Sequence, residues 1–235
     1  MQELGSVQSS SSEIDRKLQD WIELMRSPTF FSVQEGGSKR PLLFLFYRPE
    51  EMTKYFKTLD SLRSCLERFR KLAVRAGVGK PYIVLFNPAV DMTLFRDSGA
   101  DAISNYISQL EPRKAASYID LDRQVQRYWK RMAASGAPMI PIAQVGWDTR
   151  PRKDNPVPWE KKTGDKENYY KIATPEEFYN HIRAARQFVE NNSDKCVSRV
   201  VLIYSWDECD EGGCIMPTIG DPTGKYLAAL KRAMD

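Results

Sequence analysis

The chain alternates two kinds of apolar pattern. Ile14, Leu18, Trp21, Ile22 and Met25 recur at three- and four-residue intervals after Ser12, the spacing of one helix face, and Pro28 closes the run. Pro41 to Tyr47 (PLLFLFY) is instead continuously apolar and ends at Arg48-Pro49, as expected of a strand buried on both faces. Helical spacing returns with Leu59, Leu62, Leu66, Phe69, Leu72 and Ala73, and Gly77 supplies the stop. The alternation then repeats. Pro81 to Phe86 (PYIVLF) predicts a second strand and Ala100 to Ser104 a third. Leu121 to Ala134 predicts a helix with Val125, Tyr128, Trp129 and Met132 on one face, and Pro138 to Val145 a fourth strand weakened by Pro141. After a polar loop over Gly146 to Ala173, Thr174-Pro175-Glu176-Glu177 spells a capping box with proline at the first helical position. Phe178, Ile182, Ala185 and Phe188 give that helix its buried stripe. Arg199 to Tyr204 (RVVLIY) is the fifth strand, and Tyr226, Leu227, Leu230 and Ala233 mark a last helix. Residues 1 to 12 are expected to be a disordered lead-in, leaving 13 to 235 as a single domain.

Strands alternating with helices predict an α/β fold with parallel strands, wound into an open sheet or closed into a barrel. Five units fall short of the eight of a TIM barrel, which takes about 250 residues. Neither GxGxxG nor GxxxxGK[ST] follows any strand, so the nucleotide-binding form of an open sheet has no support. A content of 42% apolar residues suffices for a core. Lys and Arg number 35 against 31 Asp and Glu, scattered rather than clustered with aromatic residues, so no nucleic-acid partner is expected. No apolar stretch approaches the ~18 residues of a membrane span, and Met1 to Lys17 lacks the apolar core of a signal peptide. Cys65, Cys196, Cys209 and Cys214 have no CxxC spacing and read as reduced thiols. The single His181, among Tyr179, Arg183 and Arg186, is expected on a helix surface and removes most Ser/His/Asp and Cys/His schemes.

In either architecture ligands bind where the C-terminal ends of parallel strands meet their loops. Those ends carry Tyr47-Arg48, Asn87, Ser104-Asn105-Tyr106, Gly146-Trp147-Asp148 with Arg150 and Arg152 behind, and Trp206 to Glu211. Carboxylates and aromatic rings dominate the set, which suits sugar chemistry: carboxylates exchange protons with an acetal oxygen, and indole rings stack on pyranose faces. The densest group is SWDECDEGG, Ser205 to Gly213, where Glu208 and Glu211 stand three residues apart. Mutual repulsion in such a pair raises the pKa of one member so that it can serve as an acid. Two other readings of these residues are solvated loop charge, and a calcium site built from Asp207, Glu208, Asp210 and Glu211, although EF-hand spacing with its glycine is missing.

YSWDECDEGGCIMPT, Tyr204 to Thr218, resembles the AWNE-x-x-EGG-x-x-x-PT ending of family 99-like glycoside hydrolases, a group that includes WbsX-type polysaccharide proteins. GWDTRPR (Gly146 to Arg152), LFLFYRPE (Leu43 to Glu50) and GADAISNY (Gly99 to Tyr106) resemble the seventh, fourth and sixth strand segments of the same family. The resemblance implies a partial (β/α)8 barrel, strands four to eight with their helices, the first three strands having no counterpart. It implies that Glu208 and Glu211 are the catalytic pair of a retaining, substrate-assisted hydrolysis: Glu208 as the base toward the sugar 2-hydroxyl, Glu211 as general acid and base toward the leaving oxygen. Trp147, Asp148, Arg150, Trp206, Tyr47 and Asp207 would line the sugar site, with no metal or organic cofactor. The expected partner is a glycan or polysaccharide, and the exposed strand edges of a half-open barrel favour self-association.

Departures from the family pattern bear on activity. Asp207 replaces an asparagine, Cys209 stands where an aromatic residue is common, and Cys214 where relatives carry tryptophan. Two alternatives to a glycosidase therefore stay open: a non-catalytic carbohydrate-binding or polysaccharide-biosynthesis protein, and an inactive fragment.

Overall fold

The computed structural model describes residues 11–48, 55–87, 89–107, 114–158 and 167–235. Residues 1 to 10 of the expected lead-in, and Pro49-Glu50 of the first strand segment, lie outside them. The chain forms two compact units, each described by itself: Met1–Asn105 with Met132–Ile140 and Asp194–Val200, and Tyr106–Arg131 with Pro141–Ser193 and Val201–Asp235.

The first unit opens with helix α1 (Ser11–Met25) and the hairpin of β1 (Ser32–Glu35) and β2 (Ser38–Phe46). The hairpin is an addition to the sequence expectation. Its signal is the Gly36-Gly37 pair, whose φ values of 57° and 79° suit the tight turn that matches strand twist. Helix α2 (Leu59–Arg75), strand β3 (Tyr82–Phe86), the short helix α3 (Met92–Ser98) and strand β4 (Ala102–Ser104) follow. The sheet order is β1-β2-β3-β4, with β2, β3 and β4 parallel and Leu42 to Phe46 facing Tyr82 to Phe86 in register. All five residues of β3 are buried, which accounts for its uninterrupted apolar run. Leu18, Trp21 and Ile22 of α1 and Leu62, Leu66 and Phe69 of α2 join Leu45, Ile83 and Leu85 in one core cluster, with the Trp21 and Phe69 rings edge-to-face at 5.7 Å. Thr58 caps α2 by accepting from the Ser61 amide at 3.2 Å.

The second unit contains helix α4 (Tyr118–Ala134) as far as Arg131, strand β5 (Ile142–Gln144), the single-turn helix α5 (Pro151–Asp154), helix α6 (Pro175–Asn191), strand β6 (Leu202–Tyr204) and helix α7 (Lys225–Met234). Strands β5 and β6 pair in parallel, Ile142 to Gln144 against Leu202 to Tyr204. Both are shorter than the apolar runs predict. Pro141 has no N–H to extend β5, although its carbonyl accepts from Leu202 at 2.9 Å. Two aromatic side chains of α4 satisfy strand carbonyls, Trp129 donating to Ile142 and Tyr118 to Gln144, each at 2.7 Å. The predicted capping box is present, Thr174 and Glu177 bonding reciprocally. Among the described residues no helix is long and apolar enough to cross a membrane.

His181 corrects its expected surface position: it is 2% exposed. Its ring stacks on Trp129 at 5.3 Å, Nδ1 meets Asp122 at 2.5 Å, and Nε2 accepts from the Gln144 amide at 3.3 Å. Position 181 falls three after Phe178 and four before Ala185, on the buried face of α6. The polar neighbours in sequence face elsewhere on the helix.

In the first unit one half-buried carboxylate ties the elements together. Asp101, at the start of β4, accepts from Arg40 at 2.8 Å, Arg70 at 2.7 Å and the Ile83 amide at 2.8 Å. Burial alone would raise its pKa, but the Ile83 amide and the two guanidinium groups outweigh it and hold the carboxyl below its usual value. The folded pKa is depressed, so this contribution is complete above the unfolded value of about 3.9 and is lost as pH falls through the lower folded value. Asp101→Ala is expected to cost about 2 kcal/mol at pH 7, because it takes the shared carboxylate from two buried guanidinium groups and leaves each with one glutamate and backbone carbonyls. Urea unfolding of the two proteins measures the difference, and equal midpoints would refute the assignment.

Candidate active site

Strand β6 ends at Tyr204, and the Tyr204–Ser205 peptide is cis. The following loop folds back on its own start. The Ser205 amide donates to the Gly213 carbonyl at 2.6 Å, the Glu208 amide to Ser205 Oγ at 2.9 Å, and the Gly213 amide to the Glu208 carbonyl at 2.9 Å. Between them Cys209–Glu211 makes one 3-10 turn, and Gly212 leaves it at φ 66°, a left-handed conformation that favours glycine. The turn brings the Cα atoms of Cys209 and Cys214 to 4.7 Å, and the two form a disulfide. This corrects the reduced-thiol expectation for that pair. Their separation lies outside the CxxC pattern, and only the curl of the loop brings them within bonding reach. Cys65 and Cys196 are free, and burial pushes the Cys196 thiol up to about 11.

Glycines let this loop lie directly on the segment after β5. A Cβ on Gly146 would fall 2.6 Å from the Gly212 carbonyl oxygen, and one on Gly213 would run into the ring of Tyr204. With neither present, the Asp148 amide reaches the Glu211 carbonyl at 2.7 Å. The contact sets Trp147 and Asp148 beside the carboxylate turn.

The two glutamates then receive different partners. Tyr106 donates to Glu208 Oε1 at 2.7 Å, and Tyr204 donates to Glu211. The two phenol rings meet edge-to-face at 5.1 Å, so one aromatic pair serves both carboxylates. Arg152, from the single turn of α5, lies 2.6 Å from Glu211 through Nη1 and 2.7 Å from Asp210 through Nε. Burial by itself lowers the Arg152 pKa, but the hydrogen bond to Asp210 and the charge of Glu211 outweigh it and hold the guanidinium above its ordinary value. Burial and then the Glu208 bond push the Tyr106 phenol well up, so it stays a donor across the ordinary pH range.

The remaining predicted residues divide. Trp147 is half-buried, its ring 6.1 Å from that of Tyr204. Asp148 holds Arg150 through both carboxylate oxygens, at 2.6 Å and 2.9 Å for the shortest contacts, and the Arg150 guanidinium lies 3.5 Å over the ring of Tyr169. Trp206 is 56% exposed, and Asp207 is exposed beside it. Tyr47 belongs to the first unit, where it packs against the core cluster at the end of β2. In the sequence Tyr106 and Arg152 stand at strand ends without a role, Asp210 enters only as a possible calcium ligand, and Tyr204 only as the first residue of the family-like motif. Among the described residues no group of three His, Cys, Asp or Glu side chains converges to hold a metal ion.

The model of the family described as glycosyltransferase WbsX matches residues 6–230. Two solved structures of the GH99 endo-alpha-mannosidase from Bacteroides thetaiotaomicron are similar in fold, one of them in complex with bis-tris propane. Their identities to this chain are 17% and 15%, with TM-scores of 0.53 and 0.51. In both, 96% of this chain is covered against 64% of the mannosidase chain, so this chain spans less than two thirds of their length. At that identity the likeness concerns the fold alone. No curated protein matches the sequence.

Two outcomes check the loop. Thiol titration of the unfolded, unreduced chain is expected to find the two free cysteines, rising to all four after reduction; four before reduction would refute the pairing. Gly213→Ala is expected to cost about 2 kcal/mol in denaturant unfolding, because Tyr204 is buried and has little room to yield.

Proposed function

This chain belongs to the family described as glycosyltransferase WbsX, and from that premise we propose that it acts on glycosidic bonds of a glycan or polysaccharide through the pair Glu208 and Glu211. The observation that carries the reading is the placement of both carboxylates in the loop at the C-terminal end of β6, each bonded to its own tyrosine and next to the exposed indole of Trp206. Strand ends of this kind are where parallel α/β folds hold their ligands. Strands β2 to β6 correspond in this reading to the fourth through eighth strands of one (β/α)8-barrel domain over residues 13 to 235.

The chemistry follows from the donors. Cleavage of an acetal needs a proton at the departing oxygen and a base or nucleophile near the anomeric carbon. A resemblance to family 99 hydrolases gives the base role to Glu208 and the acid and base role to Glu211. Tyr106 bonds Glu208 as a neutral donor through one oxygen, Oε1, and orients the carboxylate. Trp206 offers an apolar face for a pyranose ring, and the Asp148–Arg150 pair offers donors and acceptors for its hydroxyls. Asp207 completes the proposed sugar-lining set.

One observation favours a second reading, binding without turnover: Arg152 and Tyr204 both engage Glu211, leaving it less available as an acid. The same experiment separates the two. Incubation with α-mannosides and with acidic and neutral polysaccharides, followed by reducing-end assay, is expected to show hydrolysis. Glu208→Gln and Glu211→Gln should each lower kcat/KM by roughly a thousandfold. Unchanged glycan binding with no turnover in any of the three proteins would overturn the enzyme and establish the binding module.

A further inference from the structure

Four carboxylates, Asp207, Glu208, Asp210 and Glu211, fall within five residues of the β6 loop, and the guanidinium of Arg152 bonds two of them. The side chains of Arg152 and Glu211 are 10% and 13% exposed, so water screens their contact little. A phenol bonds to a carboxylate and to a carboxylic acid alike, so Tyr106 permits Glu208 either protonation state. A guanidinium has only donors and a permanent charge, and its contact with Glu211 favours the ionised form alone. Arg152 is itself braced. Its amide donates to the Thr149 carbonyl at 3.1 Å and its Nε to Asp210 at 2.7 Å, so the head group is fixed before it meets Glu211.

We propose that Arg152 is a positioning residue of the Glu208–Glu211 pair: it clamps the Glu211 carboxylate against Tyr204, governs how readily that carboxylate takes up a proton, and is held in turn by Asp210. The proposal rests on the reading of the two glutamates as the reacting groups. Among the described residues, the groups that face Glu211 include Arg152 from α5, Asp148 through its amide, Tyr204 from β6, Tyr106, and Asp210 and Glu208 from its own loop. Arg152 brings a positive charge to that carboxylate, so its removal changes how readily Glu211 takes up a proton. Asp210 opposes it, drawing part of the guanidinium charge and adding a negative one.

The sign is fixed by Coulomb attraction. Removing Arg152 leaves Glu211 easier to protonate, and removing the charge of Asp210 leaves it harder. If Glu211 supplies the proton to the leaving oxygen, the alkaline limb of kcat/KM tracks it. In Arg152→Met that limb is expected to move up by about one to two pH units, with kcat down about a hundredfold from lost positioning and KM little changed. Arg152→Lys, which keeps the charge but not the fork, should shift the limb less. Asp210→Asn should shift it downward. A merely structural role would not give opposite shifts from the two partners of one ion pair.

A titration that needs no turnover separates this proposal from its premise. Carbon-13 labelling of glutamate side-chain carboxyls, with the Glu211 signal identified by its loss in Glu211→Gln, reads the ionisation of Glu211 in each folded variant. An upward shift in Arg152→Met and a downward shift in Asp210→Asn support the clamp. An unchanged Glu211 titration in folded Arg152→Met overturns it, and should that variant not fold, unchanged titrations in both Arg152→Lys and Asp210→Asn do so. If the shifts appear while no glycan is cleaved, the clamp stands and the hydrolase reading falls.

Discussion

The candidate site depends on one close approach of main chain to main chain. The loop after β6 lies so near the segment after β5 that Gly146 and Gly212 leave no room for a side chain between them, and the Glu211 carbonyl takes the Asp148 amide directly. That bond fixes the height of the carboxylate turn above the strand ends. Because Arg152 follows Asp148 by four residues through a single helical turn, the same bond brings the guanidinium to Glu211. Gly213 does the matching work below the turn, leaving space for the ring of Tyr204 whose hydroxyl reaches the same carboxylate. A backbone contact excludes alternatives more strictly than side-chain packing does, since a Cβ at such a point has nowhere to move.

Those constraints explain which parts were legible beforehand. The buried parallel strands were, because a strand covered on both faces must be apolar at every position, as β3 is. The helices were, down to the capping box at Thr174, because their signals are local. The glutamate pair was found from its place after a strand and from the family-like motif around it. What escaped depends on chain curvature that no residue spacing encodes: the disulfide across the Cys209–Glu211 turn, and the reach of Tyr106 to Glu208 across 102 positions. His181 escaped for another reason. Its immediate neighbours are polar, but a helix sorts residues by angle, and three residues from Phe178 is the buried side.

Each unit holds a carboxylate in guanidinium contact, and the two are handled differently. Asp101 accepts from two arginines and a backbone amide, an arrangement with no reason to change during any reaction. It stabilises the first unit at every pH where it is ionised. Glu211 is engaged by Arg152, which is divided with Asp210, and by a neutral phenol. The difference lies in how much each would lose on gaining a proton. For Asp101 the loss is two charge-assisted bonds at the centre of the sheet edge; for Glu211 it is part of one, with Asp210 ready to keep the released guanidinium paired. In the proposed reading Glu211 alternates between charge states, and the second arrangement suits that.

The family description names a transferase, while the solved structures similar in fold are of an endo-alpha-mannosidase. Both chemistries pass through positive charge at the anomeric carbon, and a cluster of carboxylates stabilises either. They differ at the departing group. An alkoxide leaving from a glycan must be given a proton, whereas a phosphate leaves as an anion and is assisted by cations placed near it. Near the β6 loop Arg152 is already engaged with Asp210 and Glu211 and Arg150 with Asp148, and the side chains of Asp207 and Glu208 add negative charge. Such a loop repels a departing phosphate and can exchange a proton with an alkoxide. If the two glutamates react as proposed, the charge at this loop suits cleavage or transfer between glycans better than transfer from a sugar phosphate.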